Sequence, residues 1–219
     1  SFHIEPIGLV FSSIASLLWF VNSIYSIGYL RGNSEQNQTR FYAYVSLSIF
    51  AVMGIAFASN LFTFFLFYEL LTFLTYPLVT HNGSSNAKQG GKTYLGILLF
   101  TSICFLLLAI CITYSFADTL DFTKGGILPT DLSNIEITIL LLIFCFGVGK
   151  AALFPFHSWL PAAMVAPTPV SALLHAVAVV KAGVFGIIKI IVYIFGIDYL
   201  QGISAVSILT GLAGFTIIF

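Results

Sequence analysis

Apolar residues run through this chain in seven blocks, near 7–29, 41–59, 61–80, 93–117, 136–155, 168–196 and 199–219, separated by short polar stretches. Each block is close to the roughly 20 residues a helix needs to cross ~30 Å of hydrocarbon. No block alternates apolar and polar positions in the manner of a barrel strand, and backbone groups in lipid must be satisfied within their own segment. The pattern therefore predicts an all-α, polytopic transmembrane helical bundle of seven helices, the last cut short. The chain starts at Ser1 and stops at Phe219 inside an apolar block, which reads as a fragment.

Composition agrees. Charged residues make up 7% of the chain, against roughly a quarter in soluble domains, and mean hydropathy is +1.05. Eight basic residues balance eight acidic ones with no basic run, which excludes nucleic acid as a partner. Cys104, Cys111 and Cys145 lie in apolar blocks without a CxxC spacing and read as small buried hydrophobes. The connecting segments carry the orientation. Arg31 and Arg40 fall in 30–40 and Lys88 and Lys92 in 81–92, whereas 118–136 carries Asp118, Asp121, Asp131 and Glu136 against Lys124. Positive-inside bias then puts 30–40 and 81–92 on the cytoplasmic side and the acidic loop opposite. On that side neither Asn37-Gln38-Thr39 nor Asn82-Gly83-Ser84 would meet a glycosylation enzyme. Gly91-Lys92-Thr93 lacks the preceding strand of a phosphate-binding loop and reads as a polar connection.

Candidate chemistry comes from the polar residues that interrupt the apolar blocks. Glu69 stands mid-block, with Thr72 and Tyr76 at i+3 and i+7, so a carboxylate, a hydroxyl and a phenol share a face directed into the bundle. Lys150 lies past the middle of its block and is followed by Pro155, Pro161, Pro167 and Pro169. A lysine at membrane depth costs roughly 2.5–3.5 kcal/mol on insertion scales. Pro155 cannot donate to the Ala151 carbonyl, which predicts a broken helix next to the ammonium, where irregular backbone can line a water-filled cavity. In the following block His175 and Lys181, six residues apart, read as successive stations for a proton rather than one tight site. Lys181 has no acidic residue at comparable depth and is expected to give up its proton more readily than Lys150. Arg in its place is then expected to abolish transport, and Arg at 150 to leave partial activity. Lys189 reads as a side chain reaching outward to the membrane surface, and His157 as either a water-path residue or a cap on the break.

Three segments carry a resemblance. FYELLTFLTYPLV around Glu69, GKAALFPFHSWLPAAM around Lys150 and APTPVSALLHAVAVVKAGVF around His175 and Lys181 resemble the antiporter-like subunits of Mrp-type multisubunit cation/proton antiporters and respiratory complex I, in the same order and over essentially the whole chain. The resemblance implies part of a fold of about fourteen helices built on two inverted five-helix repeats, each with a broken helix. On that comparison 1–40 is a leading transmembrane helix with its cytoplasmic loop, 41–196 is the first five-helix repeat, and 197–219 begins the second. The family's glutamate and lysine pair falls on Glu69 and Lys150, and its next-helix lysine or histidine on Lys181 and His175.

What the resemblance implies is a multi-pass subunit of the cell (inner) membrane. It would move protons, with Na⁺ as a possible counter-ion, through a Glu/Lys/His path, assembled with other membrane subunits in the lipid bilayer and without a cofactor of its own. The alternative within the family is a proton-pumping, non-redox subunit of complex I or of a related membrane hydrogenase. A quinone- or haem-binding electron carrier is disfavoured, because no pair of histidines stands at ligand spacing within the apolar blocks. An inert assembly scaffold would leave Glu69 and Lys150 without a task.

Overall fold

The computed structural model describes residues 1–200 and 204–218, with side chains in the last helix from Val206 onward. Helix α1 (Pro6–Gly32) shows the packing logic of the molecule. It buries Gly8, Ser12, Ala15, Asn22, Ser26 and Leu30, and turns Val10, Ile14, Leu17, Phe20 and Ile24 outward. A helix in water does the reverse. In hydrocarbon nothing is gained by hiding leucine from lipid, so helices meet through small and polar residues that let backbones approach. At Gly8 a Cβ would lie 2.5 Å from the Ala56 carbonyl oxygen of α2 (Gln38–Phe57), so α1 and α2 meet backbone to backbone.

Helix α3 (Leu61–Val79) begins at Asn60, whose side-chain oxygen accepts the Thr63 N–H at 2.7 Å. Helix α4 (Ser85–Ala117) starts well before the predicted block and passes through a π turn at Ser102–Leu106. The sequence reading leaves Gly90 and Gly91 inside the polar connection 81–92. They are helical, because the chain needs the space: a Cβ on Gly90 would come 2.4 Å from the Ala162 carbonyl oxygen, and the Ser84 hydroxyl caps the helix by accepting the Ala87 N–H at 3.1 Å. Helix α5 (Asn134–Gly147) is capped by a reciprocal Ser133–Glu136 box and ends before Pro155 is reached. After it come a 3₁₀ turn at Gly149–Ala151, irregular backbone, and the short helix α6 (Trp159–Ala163). Helix α7 (Thr168–Phe195) contains π turns at Leu173–Val177 and Ile191–Phe195, and α8 (Ser204–Ile218) closes the chain.

Among the described residues five helices, α1, α2, α3, α4 and α7, are long and apolar enough to cross a membrane, and α5 and Val206–Ile218 are shorter apolar helices. The chain is a multi-pass membrane protein of all-α fold. Its two ends differ as the charge pattern predicts. The α1–α2 and α3–α4 turns share one end, with the Phe41 and His81 rings 5.4 Å apart. The acidic loop lies at the other, where Phe122 N–H donates to Ser59 O at 3.0 Å and Ile127 N–H to Ile194 O at 3.0 Å. Of the cysteines, Cys145 is buried, whereas Cys104 and Cys111 occupy the exposed face of α4, so two of the three are surface rather than core residues.

Candidate ion-translocation site

The break in the fifth apolar block begins at Val148, earlier than the proline spacing suggests, so Lys150 lies inside the break rather than ahead of it. Small residues create it. A Cβ on Gly149 would meet the Thr101 hydroxyl of α4, and one on Gly183 of α7 would stand 2.6 Å from the Lys150 carbonyl carbon and 2.4 Å from the Ala151 nitrogen. The turn is thus clasped between α4 and α7 at backbone distance. Trp159, fully buried, ties the far side of the break to its start by donating from Nε1 to the Gly149 carbonyl at 3.0 Å. Its ring stands edge-on to Tyr94, 5.5 Å between centroids, and the Tyr94 hydroxyl is 2.6 Å from Thr75 Oγ1.

Lys150 is wholly buried and directed at α3. Its Nζ donates to the Tyr68 carbonyl at 2.8 Å and to Thr72 Oγ1 at 2.7 Å, and sits 3.3 Å from the centroid of the Tyr68 ring. Its backbone N–H donates to the Tyr68 hydroxyl at 3.0 Å. All of these acceptors are neutral, and Thr72 is the residue that helical spacing places on the Glu69 face. Both Glu69 oxygens are buried and accept no hydrogen bond among the described residues. The carboxylate acts on Lys150, Tyr68 and Tyr94 through space. The expected Glu69–Lys150 pair is therefore a pair by field and not by contact, since Lys189–Glu5 is the one ion pair found among the described residues. Thr72 belongs to the site and Tyr76 does not touch the ammonium.

The other two candidates, on α7, are placed differently from each other. His175 is half-buried in the Leu173–Val177 π turn, its Nε2 enclosed without a partner. Lys181 is exposed. It lines an apolar groove of about 680 Å³ between α1 and α7, with Phe11, Ile14 and Val184 among its neighbours. Gly183 faces the break, and Lys181, two residues earlier, is ~200° away around a helix of 3.6 residues per turn. Lys181 and the break therefore lie on different faces of α7, and Lys181 points out of the described segment. His157 stacks on Phe154 at 5.6 Å with its Nδ1 enclosed and unpartnered.

The sequence reading also misses a site. Lys189, expected to reach outward, is fully buried, with Nζ 3.2 Å from Glu5 Oε2, bonded to the Ala58 carbonyl and 4.3 Å from the Phe122 ring centroid. Gly183, Gly186 and Lys189 recur every three residues along the packed face of α7, and a Cβ on Gly186 would strike Phe64. That stripe is the signal that marks Lys189 as internal.

Residues 58–218 match the family described as NADH:quinone oxidoreductase/Mrp antiporter, TM. The chain belongs to this family. Among its relatives, the protein named "Putative antiporter subunit mnhA2" of Staphylococcus haemolyticus is 34% identical over 86% of the chain and 24% of its own length. NAD(P)H-quinone oxidoreductase subunit 5, chloroplastic, of Chara vulgaris is 32% identical over 99% of the chain and 34% of its own length. The chain thus spans about a quarter to a third of these relatives. Among solved structures, the Mrp complex from Dietzia sp. DQ12-45-1b superposes with a TM-score of 0.80 at 25% identity, over 94% of this chain and 22% of the matched chain. The archaeal membrane-bound sulfane sulfur reductase gives the same TM-score of 0.80 at 22% identity, a likeness of fold.

Proposed function

We propose that this chain is the ion-translocating part of a membrane cation/proton antiporter subunit, with Glu69 and Lys150 as its charge switch and His175 and Lys181 leading the proton onward. The observation that carries this reading is Lys150: a buried ammonium in a helix break, held among the described residues only by neutral acceptors, under the field of a carboxylate that accepts no hydrogen bond from them. An ionised Glu69 favours the protonated lysine. When that carboxylate is neutralised or turns away, the ammonium is left in low dielectric with only a carbonyl, a hydroxyl and a ring, and its proton is released. A carboxylate with no hydrogen bond is free to do this; one fastened to its lysine is not.

In the same proposal His175, whose Nε2 is enclosed without a partner among the described residues, is the next proton carrier. The outward position of Lys181 suits a handover to a part of the protein beyond this segment. Na⁺ exchange, assembly with further membrane subunits and residence in the cell membrane belong to the same proposal, and the relatives named as an antiporter subunit support the assembly. The second reading, a non-redox proton-pumping subunit of a quinone oxidoreductase, is favoured by the chloroplast relative that matches 99% of the chain. Membrane vesicles bearing the full-length protein in its complex separate the two. A Na⁺ gradient that drives H⁺ movement without quinone reduction supports the antiporter; H⁺ movement only during quinone reduction supports the second reading. Vesicles that move no ions under either drive would contradict both.

A further inference from the structure

At the end of the bundle where the α1–α2 and α3–α4 turns meet, Arg40, Lys88 and Lys92 line one cavity of about 580 Å³ together with His81, Asn82 and Tyr76. No acidic side chain lines it, and none of the three cations forms an ion pair among the described residues. The nearest carboxylate in effect is Glu35, whose field reaches His81 on the α1–α2 side. Lys88 and Lys92 are one helical turn apart on α4, so they project from the same face, and Arg40 comes from the first turn of α2. Gathering cations around a concave space without a counter-charge is costly unless an anion enters it.

The depth of the cavity points to which anion. Tyr76, in the last turn of a spanning helix, lines it, which puts the cavity at the level of the membrane–water boundary, where tyrosine sits beside lipid headgroups. Below it the helices that frame it turn apolar side chains outward: Leu47 lies seven residues beyond Arg40 on α2, Phe73 three residues before Tyr76 on α3, and both are exposed. A cationic cup over a lipid-facing apolar wall fits a phosphate group with acyl chains attached. We propose that this cavity is a specific site for the phosphate headgroup of an anionic phospholipid, held by Arg40, Lys88 and Lys92 with its chains lying along α2 and α3. The site lies about two helical turns along α3 from Glu69 and stands whether or not Glu69 and Lys150 move ions.

The test uses the full-length protein in its complex, reconstituted in nanodiscs of phosphatidylglycerol or phosphatidylcholine, extracted, and examined for retained lipid by native mass spectrometry. Phosphatidylglycerol should be retained in preference to phosphatidylcholine, and retention should fall about fivefold for each cation lost in Lys88→Gln and Lys92→Gln. Lys124→Gln, at the opposite end, should leave it unchanged. All three are surface substitutions, and a melting temperature equal to that of the parent protein shows that folding is intact. Equal retention of the two lipids, or equal losses in Lys88→Gln and Lys124→Gln, would overturn the proposal. Capture of inorganic phosphate by these residues without phosphatidylglycerol retention would overturn it too, because free phosphate would then be the ligand.

Discussion

Two lysines are fully buried in this chain, and they are held in opposite ways. Lys189 is fastened: its ammonium is 3.2 Å from Glu5, bonds the Ala58 carbonyl and lies over the Phe122 ring, so the N-terminal segment, the α2–α3 corner, the acidic loop and α7 are tied at one point. Lys150 is cradled: it has a carbonyl, a hydroxyl and a ring, and its carboxylate stands off. A contact pair confines both charges, and removing either partner leaves the other stranded. A pair that acts through space can change state without breaking a bond, because moving or neutralising one charge alters the other at once. On this comparison Lys189 is a staple, and Lys150 is free to act as the switch proposed above.

The largest effect expected from breaking the comparison is at the staple. Lys189→Met should lower the stability of the assembled protein by about 3–5 kcal/mol, because Glu5 is left buried and unpaired. Glu5→Gln with Lys189→Met together should recover much of that loss, which thermal melts of the two variants would show. The clasp around the switch comes next. Gly183→Ala forces a methyl against backbone 2.6 Å away, and should cost about 1–3 kcal/mol and reduce flux through displacement of Lys150. A Gly183→Ala protein with parental stability and flux would mean the break is not clasped as described.

Arginine sharpens the comparison by setting Lys150 in the break against Lys181 on α7. The sequence alone suggests that Lys150→Arg keeps partial activity, since the charge is retained. The packing removes that expectation: Thr101 and the Gly183 backbone close on the turn, and a guanidinium cannot reproduce the short contacts to Tyr68 and Thr72. Lys150→Arg should be inactive. Lys181→Arg should fold normally in its open groove, and flux should still be lost if that position exchanges protons. A transporting Lys181→Arg would confine proton exchange to Lys150 and His175.

The smallest effect concerns His81, at the basic end and outside the spanning helices. Burial against Phe41 lowers its pKa from the ordinary 6.5. The neutral form is favoured in the folded state, the unfolded chain binds more protons, and stability therefore falls as pH drops from about 6.5 toward the folded value. His81→Gln should flatten that slope in a melt series without touching flux.

The fold class was legible because lipid imposes a length on every spanning segment, and the loop charges reported correctly which turns share an end. The errors came from backbone contacts. Gly90-Gly91 reads as a loop until Ala162 is seen against it, and the fifth helix ends at Gly147 because the turn beyond it is clasped by α4 and α7 rather than because a proline follows. At the site, spacing within one helix found Glu69 with Thr72, and the prolines found Lys150. Spacing did not reveal that Lys181 and Gly183 face opposite ways, nor that Lys189 meets a carboxylate from before α1. Glu5 and Lys189 are 184 residues apart (189 − 5), and only the packed face of α7 brings them together.

The most direct test of the switch is proton flux in vesicles holding the full-length complex, measured for Glu69→Gln and Glu5→Gln alongside the amount of assembled protein. Glu69→Gln keeps the shape and removes only the field on Lys150, so assembly should be at parental level while flux falls about tenfold or more, each factor of ten being about 1.4 kcal/mol. Glu5→Gln should do the reverse, lowering assembly and melting temperature while flux per assembled complex stays near the parental value. Parental flux in Glu69→Gln would contradict the account.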